Sequence, residues 1–181
     1  MKKILVVSHC ILNTAAKVRQ DERALCEENA LRGRLLRLAL EQDIQLLQLP
    51  CPELQLYGSR RWGHVREQFD QPFYRAFAAE ILEPVLRQLR EYASDPARFA
   101  ILGIVSVEGS PSCGCHLTCS ADWGGEIGER LDAGLMPAEM AEKPGVFMEI
   151  LIEALAEAGL SISVLTMDEA ADVLQEMQKE V

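Results

Sequence analysis

Lys3-Ile4-Leu5-Val6-Val7-Ser8-His9-Cys10 opens the chain with a short, β-branched apolar run that ends at a serine, a histidine and a cysteine. A run of this length reads as a buried first strand. Together with Met1 and Lys2 it superficially imitates a signal peptide. The apolar stretch is too short for one, however: Ser8 and His9 interrupt it, Asn13 follows soon after, and no small-residue cleavage site appears. No other window has the length and purity of a membrane span. The expectation is a cytoplasmic protein whose six cysteines are reduced thiols, suited to ligation or chemistry rather than a disulfide framework.

Working outward, the next strand reads Ile44 to Leu49 and ends at Pro50-Cys51-Pro52. Leu25, Leu31, Leu35 and Leu38 recur between the two strands at helical spacing, which makes a β-α-β unit. Phe73, Phe77, Ile81, Val85 and Leu89 mark a second amphipathic helix, interrupted or kinked at Pro84, before a strand over Ala100 to Val107. A third helix spans Val146 to Ala158 and stops at Gly159, and Ser161 to Thr166 forms a fourth strand. Asp168 is the expected N-cap of a last helix carrying Ala171, Val173, Leu174 and Met177. Such alternation predicts an α/β fold in three layers, Rossmann- or flavodoxin-like, with a mostly parallel sheet and helices on both faces.

Right-handed crossovers open the carboxyl ends of parallel strands on one edge, where ligands bind. Cys10 follows the first strand, Cys51 the second and Cys113 the third. Three remote thiols are thereby expected to converge on one crevice.

At 181 residues the chain suits a single domain spanning 1–181, and it shows no internal repeat. The net charge is −10, from 28 acidic against 18 basic residues, so a long nucleic acid is not an expected partner. One dense basic stretch stands out, Arg60 and Arg61 followed by His64 and Arg66. It reads either as a grip for a small anion or carbonyl-rich ring or as a solvated turn.

Converging thiolates repel one another, and a bound cation or cluster relieves the repulsion. Zinc takes four ligands when structural and keeps one position for water when catalytic. A four-iron cubane held by three cysteines would leave one iron open to a soft sulfur ligand. Prolines fix the flanking loops, and glycines in Gly109-Ser110-Pro111-Ser112-Cys113-Gly114 let backbone approach a cofactor.

The segments Ser8-His9-Cys10, Cys51-Pro52-Glu53 and Ser110-Pro111-Ser112-Cys113-Gly114, in this order, resemble the 2-thiouracil desulfurase (TudS-like) family. The last is the most specific of the three. The resemblance implies a [4Fe-4S] cluster on Cys10, Cys51 and Cys113, whose open iron binds thiocarbonyl sulfur, and a non-redox, hydrolytic release of sulfide from a small thiolated nucleobase or nucleoside. It also implies Glu53 and Ser110 as the acid-base pair. Ser8, Asn13, Arg60, Arg61 and Ser112 are the candidate substrate contacts. After Cys10, where members carry a glycine and a Val-Arg-Tyr-Asp-Gly-like stretch, this chain has Asn13 and Lys17-Val18-Arg19-Gln20-Asp21, which leaves the identity of the ring open. Leu56-Tyr57-Gly58-Ser59-Arg60-Arg61-Trp62-Gly63 offers aromatic and basic groups that either stack on a ring or pack a surface loop.

Cys115 and Cys119, with His116 between them, form a second candidate ligand cluster beside Cys113. They read as a sulfur relay, a resolving thiol or spare small residues. Cys26 lies on the first helix and reads as packed or incidental. Periodicity is lost from Leu117 to Leu135, and residues 115–136 are expected to form a long loop or lid. Two other functions fit the same thiols: a cluster-binding sulfur carrier or sensor without turnover, and a Cys-ligated zinc hydrolase.

Overall fold

The computed structural model describes residues 1–20, 22–122 and 138–179. Strands β1 (Lys2–Val7), β2 (Gln45–Gln48), β3 (Phe99–Val105) and β6 (Val164–Leu165) form one sheet in the order β2-β1-β3-β6. Every pairing in it is parallel. The expected α/β architecture is present, with β2, β3 and β6 shorter than the runs that announce them. Residues 4–7 of β1 are all buried, because a central parallel strand is covered on both faces.

Alternation splits the core in two. Val6 and Ile104 pack on one face with the helices α5 (Pro72–Ala93) and α6 (Val146–Glu157). Leu5, Val7 and Val105 pack on the other with α2 (Glu22–Glu41) and α7 (Met167–Lys179). The layers are thus helix, sheet, helix.

Two local expectations are corrected. Helix α5 is not interrupted at Pro84 but runs through it; its buried face of Tyr74, Ala78, Leu82, Val85, Leu86 and Leu89 holds the turn that lacks one amide donor. Thr166 rather than Asp168 caps α7. Its hydroxyl accepts from the Glu169 amide (3.1 Å) while the Glu169 carboxylate accepts from the Thr166 amide (2.8 Å), a reciprocal capping box. Asp168 lies two residues inside the cap and pairs with Arg34.

The expected loop over 115–136 contains a strand, β4 (Thr118–Ser120), paired antiparallel with β5 (Glu139–Ala141). Residues 123–137, most of the expected lid, lie outside the described residues. No helix among the described residues is long and apolar enough to cross a membrane.

Register sets the level of the site. Val7 stands opposite Gln48 on one side and Val105 on the other, so three chains leave the sheet edge together. Beyond that edge lie three short elements: α1 (His9–Leu12), a 3-10 turn (Thr14–Ala16) and α3 (Pro52–Tyr57). A fourth, α4 (Arg66–Phe69), precedes α5.

Candidate functional site

At this edge a cavity of about 420 Å³ is lined by Cys10, Cys51 and Cys113 together, with Glu53, Arg61, Ser110 and Ser112. The crossovers therefore bring the three strand-end thiols to one space. Cys51 caps α3, its Sγ accepting the Leu54 amide (3.4 Å), and Pro52 begins the helix at a position where no amide is needed.

The Cys113 loop is held by backbone. The amides of Val146 and Met148, opening α6, donate to the carbonyls of Pro111 and Ser112 (both 3.0 Å), and the Gly145 amide donates to Gly114 (3.0 Å). So close an approach needs glycine. A Cβ on Gly145 would stand 2.5 Å from the Ser112 carbonyl carbon, and one on Gly114 2.1 Å from the Leu117 oxygen.

Glu108 secures the far side of this loop. Its carboxylate accepts the amides of Cys115 (2.9 Å), His116 (3.2 Å) and Leu117 (2.8 Å). Burial alone would raise its pKa, but these donors hold it below the usual carboxylate value.

A hydroxyl chain crosses the cavity wall. Ser112 Oγ donates to Glu53 Oε1 (2.6 Å) and lies 3.3 Å from Ser110 Oγ. Ser110 Oγ accepts the Cys113 amide (3.0 Å). With its own proton committed to Glu53, Ser112 is left to accept from Ser110. Glu53 and Ser110, the expected acid-base pair, thus communicate through Ser112 rather than by direct contact.

The expected substrate contacts divide. Ser112 and Arg61 line the cavity, whereas Ser8, Asn13 and Arg60 do not. The Ser8 hydroxyl is buried and donates to the Val105 carbonyl (2.9 Å), tying β1 to β3. Asn13 caps the 3-10 turn by accepting the Ala15 amide (3.2 Å), and Arg60 is exposed.

Nor is Arg61 free to grip an anion. Its side chain is 3 % exposed and donates to Glu53 (3.1 Å), the Gly58 carbonyl (3.2 Å) and the Ala16 carbonyl (2.7 Å). Arg66 is likewise buried, donating to Asp70 (2.6 Å), Glu149 and the Pro144 carbonyl (2.9 Å). The basic stretch is therefore largely internal bracing, neither an anion grip nor a solvated turn.

Cys115 and Cys119 separate. Cys115 faces a second cavity with His116, its thiol held by Ser106 and Glu108, while Cys119 lines the first. The local Cys-x-Cys-x-x-x-Cys pattern does not form one site. Cys26 is exposed on α2.

The three central thiols share an electrostatic environment. Burial pushes Cys10 up to about 11, with Lys17 opposing and Glu28, Cys51 and Glu53 adding. Burial raises Cys51, partly offset by the Leu54 amide. Burial and then the charge of Cys10 push Cys113 well above the usual thiol range. Without a cation these sulfurs are neutral at pH 7; with one, each gains the partner that its ionised form lacks.

Among the described residues, no group of three or more His, Cys, Asp or Glu side chains gathers as a site for a single metal ion. Zinc needs thiolates at about 2.3 Å from one point. Thiols ringing a cavity suit a group several atoms across, and the donor set of three soft sulfurs suits iron and sulfide. Polar atoms left over point the same way. Of four buried side-chain polar atoms without a hydrogen bond among the described residues, three belong to His9, His64 and Tyr74. The two histidines line the cavity, whereas Tyr74, buried beside Ser112, does not. The residues present fit a cluster.

Residues 1–125 match the family described as "Putative 2-thiouracil desulfurase". The chain belongs to this 2-thiouracil desulfurase family. A similar chain is the uncharacterized protein MJ0003 of Methanocaldococcus jannaschii, 38% identical over 112 residues, which cover 62% of this chain and 67% of that one. No solved structure matches. A family so named acts on a small thiolated nucleobase, and residues 1–125 contain all three cysteines, Glu53 and the Ser110–Ser112 pair.

Two features escape sequence reading. Arg61 stands out in the sequence as a candidate grip on a ligand, but its bracing role appears only when the fold delivers the Ala16 carbonyl to it. Tyr74 falls beside the apolar face that the sequence marks from Phe73; the structure buries Tyr74 and leaves Phe73 exposed, so the periodicity did not place this phenol in the core.

Proposed function

We propose that this protein removes the sulfur of a thiocarbonyl on a small thiolated ring, a 2-thiouracil-like base or nucleoside, with a [4Fe-4S] cluster held by Cys10, Cys51 and Cys113. The observation that carries this reading is the meeting of three strand-end thiols with the Glu53–Ser112–Ser110 chain around one cavity. The bound cluster would supply an open iron corner, a soft Lewis acid for substrate sulfur.

The net reaction exchanges C=S for C=O with water and releases hydrogen sulfide, so no electrons are needed. In this scheme Glu53 takes a proton from the attacking water. Arg61 holds the carboxylate in place, and Ser112 Oγ, already donating to Glu53, passes the proton on by reversing the hydroxyl chain. Ser110 then delivers it to the departing sulfur, and the second proton of the water follows the same route as the new C=O forms, so that sulfur leaves as hydrogen sulfide. The chain's net charge of −10 and the internal use of Arg61 and Arg66 favour a small ring over a polynucleotide. A reducing, cytoplasmic setting is part of the same reading.

The test is anaerobic loading with iron and sulfide, followed by counting both per chain and assaying sulfide release from 2-thiouracil. Each of Cys10→Ser, Cys51→Ser and Cys113→Ser is expected to lose the cluster, and Cys26→Ser to keep it. Glu53→Gln is expected to keep the cluster and lose roughly 10²-fold or more in turnover. Uptake of one zinc per chain in place of iron would overturn the cluster. Undiminished sulfide release by Glu53→Gln would remove Glu53 from the chemistry, whereas a fully loaded wild type that releases no sulfide from 2-thiouracil would favour a sulfur carrier.

A further inference from the structure

Lys17 and Glu28 meet in the cavity wall, and the chemistry above uses neither. Lys17 closes the 3-10 turn, its amide donating to the Thr14 carbonyl (3.1 Å), and its ammonium pairs with the carboxylate of Glu28 on α2. Both residues line the cavity with Cys10, Cys51 and Cys113. Their side chains are 10 % and 23 % exposed. So enclosed a pair is a poor device for stability alone, because desolvating two charges offsets most of their attraction. It is also underused. An ammonium carries three donors and a carboxylate about four acceptor sites, yet among the described residues the pair makes one hydrogen bond, from Lys17 Nζ to Glu28 Oε1. The other charged groups of the lining are spent or wet. Arg61 and Glu53 hold each other, Glu108 holds three amides, and Arg19 is exposed to water. The remaining Lys17 donors and Glu28 Oε2 are left for whatever fills the cavity. The pair also stands near the sulfurs: burial raises the Cys10 thiol, and the Lys17 charge is the first to oppose it.

Resting on the desulfurase reading above, we propose that Lys17 and Glu28 are the specificity-determining pair for the ring: Glu28 accepts the ring N–H beside the thiocarbonyl, and Lys17 donates to the exocyclic carbonyl beyond it. The ligand class is a thiolated cyclic imide, whose N–H lies between C=S and C=O. A cation and an anion side by side present a donor next to an acceptor, the complement of that edge. Hydrogen bonds to charged partners are the stronger kind, and a buried polar group left unmatched rejects a ring without the carbonyl. Holding this edge also fixes the rotation of the ring, and with it the direction from which water reaches the thiocarbonyl carbon. The pair binds and orients; no covalent bond to it forms or breaks, and neither residue gives up or gains a proton.

Two pairs of rings test this. Pyrimidine-2-thione lacks the exocyclic carbonyl of 2-thiouracil, and their oxygen counterparts, pyrimidin-2-one and uracil, differ in the same way without needing turnover. Anaerobically loaded wild type is expected to bind uracil at least roughly tenfold more tightly than pyrimidin-2-one by titration calorimetry, with the same order in kcat/KM for the two thiones. Lys17→Met alone strands a buried carboxylate and is expected to destabilise the protein. The decisive variant is therefore Lys17→Met with Glu28→Leu, which replaces the whole pair by apolar groups. It is expected to keep its iron and sulfide and to bind the two oxygen rings within about twofold of each other. Lys17→Arg, which keeps the charge and the donors, is expected to retain most of the preference.

Equal affinity of wild type for uracil and pyrimidin-2-one would overturn the proposal, as would a preference that survives in the double variant. So would a wild type that favours 2-thiocytosine over 2-thiouracil, because 2-thiocytosine carries its acceptor nitrogen and donor amino group in the reverse order. A double variant that takes up no cluster would assign the pair to Cys10 rather than to the ring and would overturn it too. Loaded wild type that releases no sulfide from any of these thiones sinks the desulfurase reading and the proposal with it; release from all of them at equal rates sinks the proposal alone.

Discussion

The wall of the cavity that carries Cys113 is held by backbone, whereas the wall that carries Lys17, Arg61 and His64 is held by side chains. On the first, amides of α6 reach carbonyls of the Pro111–Ser112 turn, and three amides converge on Glu108. On the second, Lys17 pairs with Glu28 and Arg61 ties Glu53 to two carbonyls from separate loops. Backbone bracing through glycine tolerates almost no change, because a single methyl would collide. Side-chain bracing can be exchanged residue by residue. The arrangement keeps the sulfur corner invariant in shape while leaving the opposite wall free to suit one ring or another.

The contrast breaks most visibly at Gly114. Gly114→Ala places a Cβ 2.1 Å from the Leu117 oxygen, and since that obstacle is backbone, the loop must move. A loss of about 3 kcal/mol in unfolding free energy is expected. Gly33→Ala on α2 meets nothing within 4 Å and is expected to be neutral or slightly stabilising. Denaturant melts of the two variants, side by side, would settle whether the rear wall is as rigid as its contacts imply; equal stabilities would contradict it.

Glu108 tests the same wall by charge. Glu108→Gln exchanges a carboxylate for an amide whose NH2 group cannot accept, and about 2 kcal/mol is expected to go with the lost charge-assisted bonds. The pH dependence has a definite sign. Because the folded protein holds this carboxyl below its ordinary value of 4.5, the unfolded chain binds the extra proton. The contribution is complete above about pH 4.5 and is lost as pH falls through the lower folded value. Wild type should therefore lose stability on acidification more steeply than Glu108→Gln. Parallel acid-unfolding curves would remove Glu108 from the account.

These two walls were unequally legible in the sequence. Periodicity placed the strands, and the strand ends placed Cys10, Cys51 and Cys113 on one edge, because a parallel sheet leaves few alternatives for where its loops go. The Ser-Pro-Ser-Cys-Gly motif likewise announced the backbone-braced turn. The other wall was opaque. Whether Arg61 grips a ligand or its own chain depends on where the Ala16 carbonyl arrives, a tertiary fact that composition does not carry. Ser8 and Asn13 misled for a related reason: small polar residues beside a motif serve loop closure as readily as ligand binding, and here Ser8 closes β1 on β3. The strand β4 was missed because three residues carry too little alternation to register.

The side-chain wall makes its own, smaller prediction through the pair Arg61 and Arg60. Arg61→Lys keeps the charge but gives up the fork that reaches Glu53 and two carbonyls at once. A cost of about 1 kcal/mol in stability and roughly a tenfold fall in sulfide release are expected, with iron and sulfide content unchanged. Arg60→Ala, one residue away but exposed and outside the cavity, is expected to move stability by no more than about 0.5 kcal/mol and to leave substrate affinity within twofold. Adjacent arginines of the same chemistry would then differ only in what the fold brings to them. Should Arg60→Ala weaken substrate binding as much as Arg61→Lys slows release, the ring would have to extend beyond the cavity to reach Arg60, and the side-chain wall would be wider than the lining residues describe.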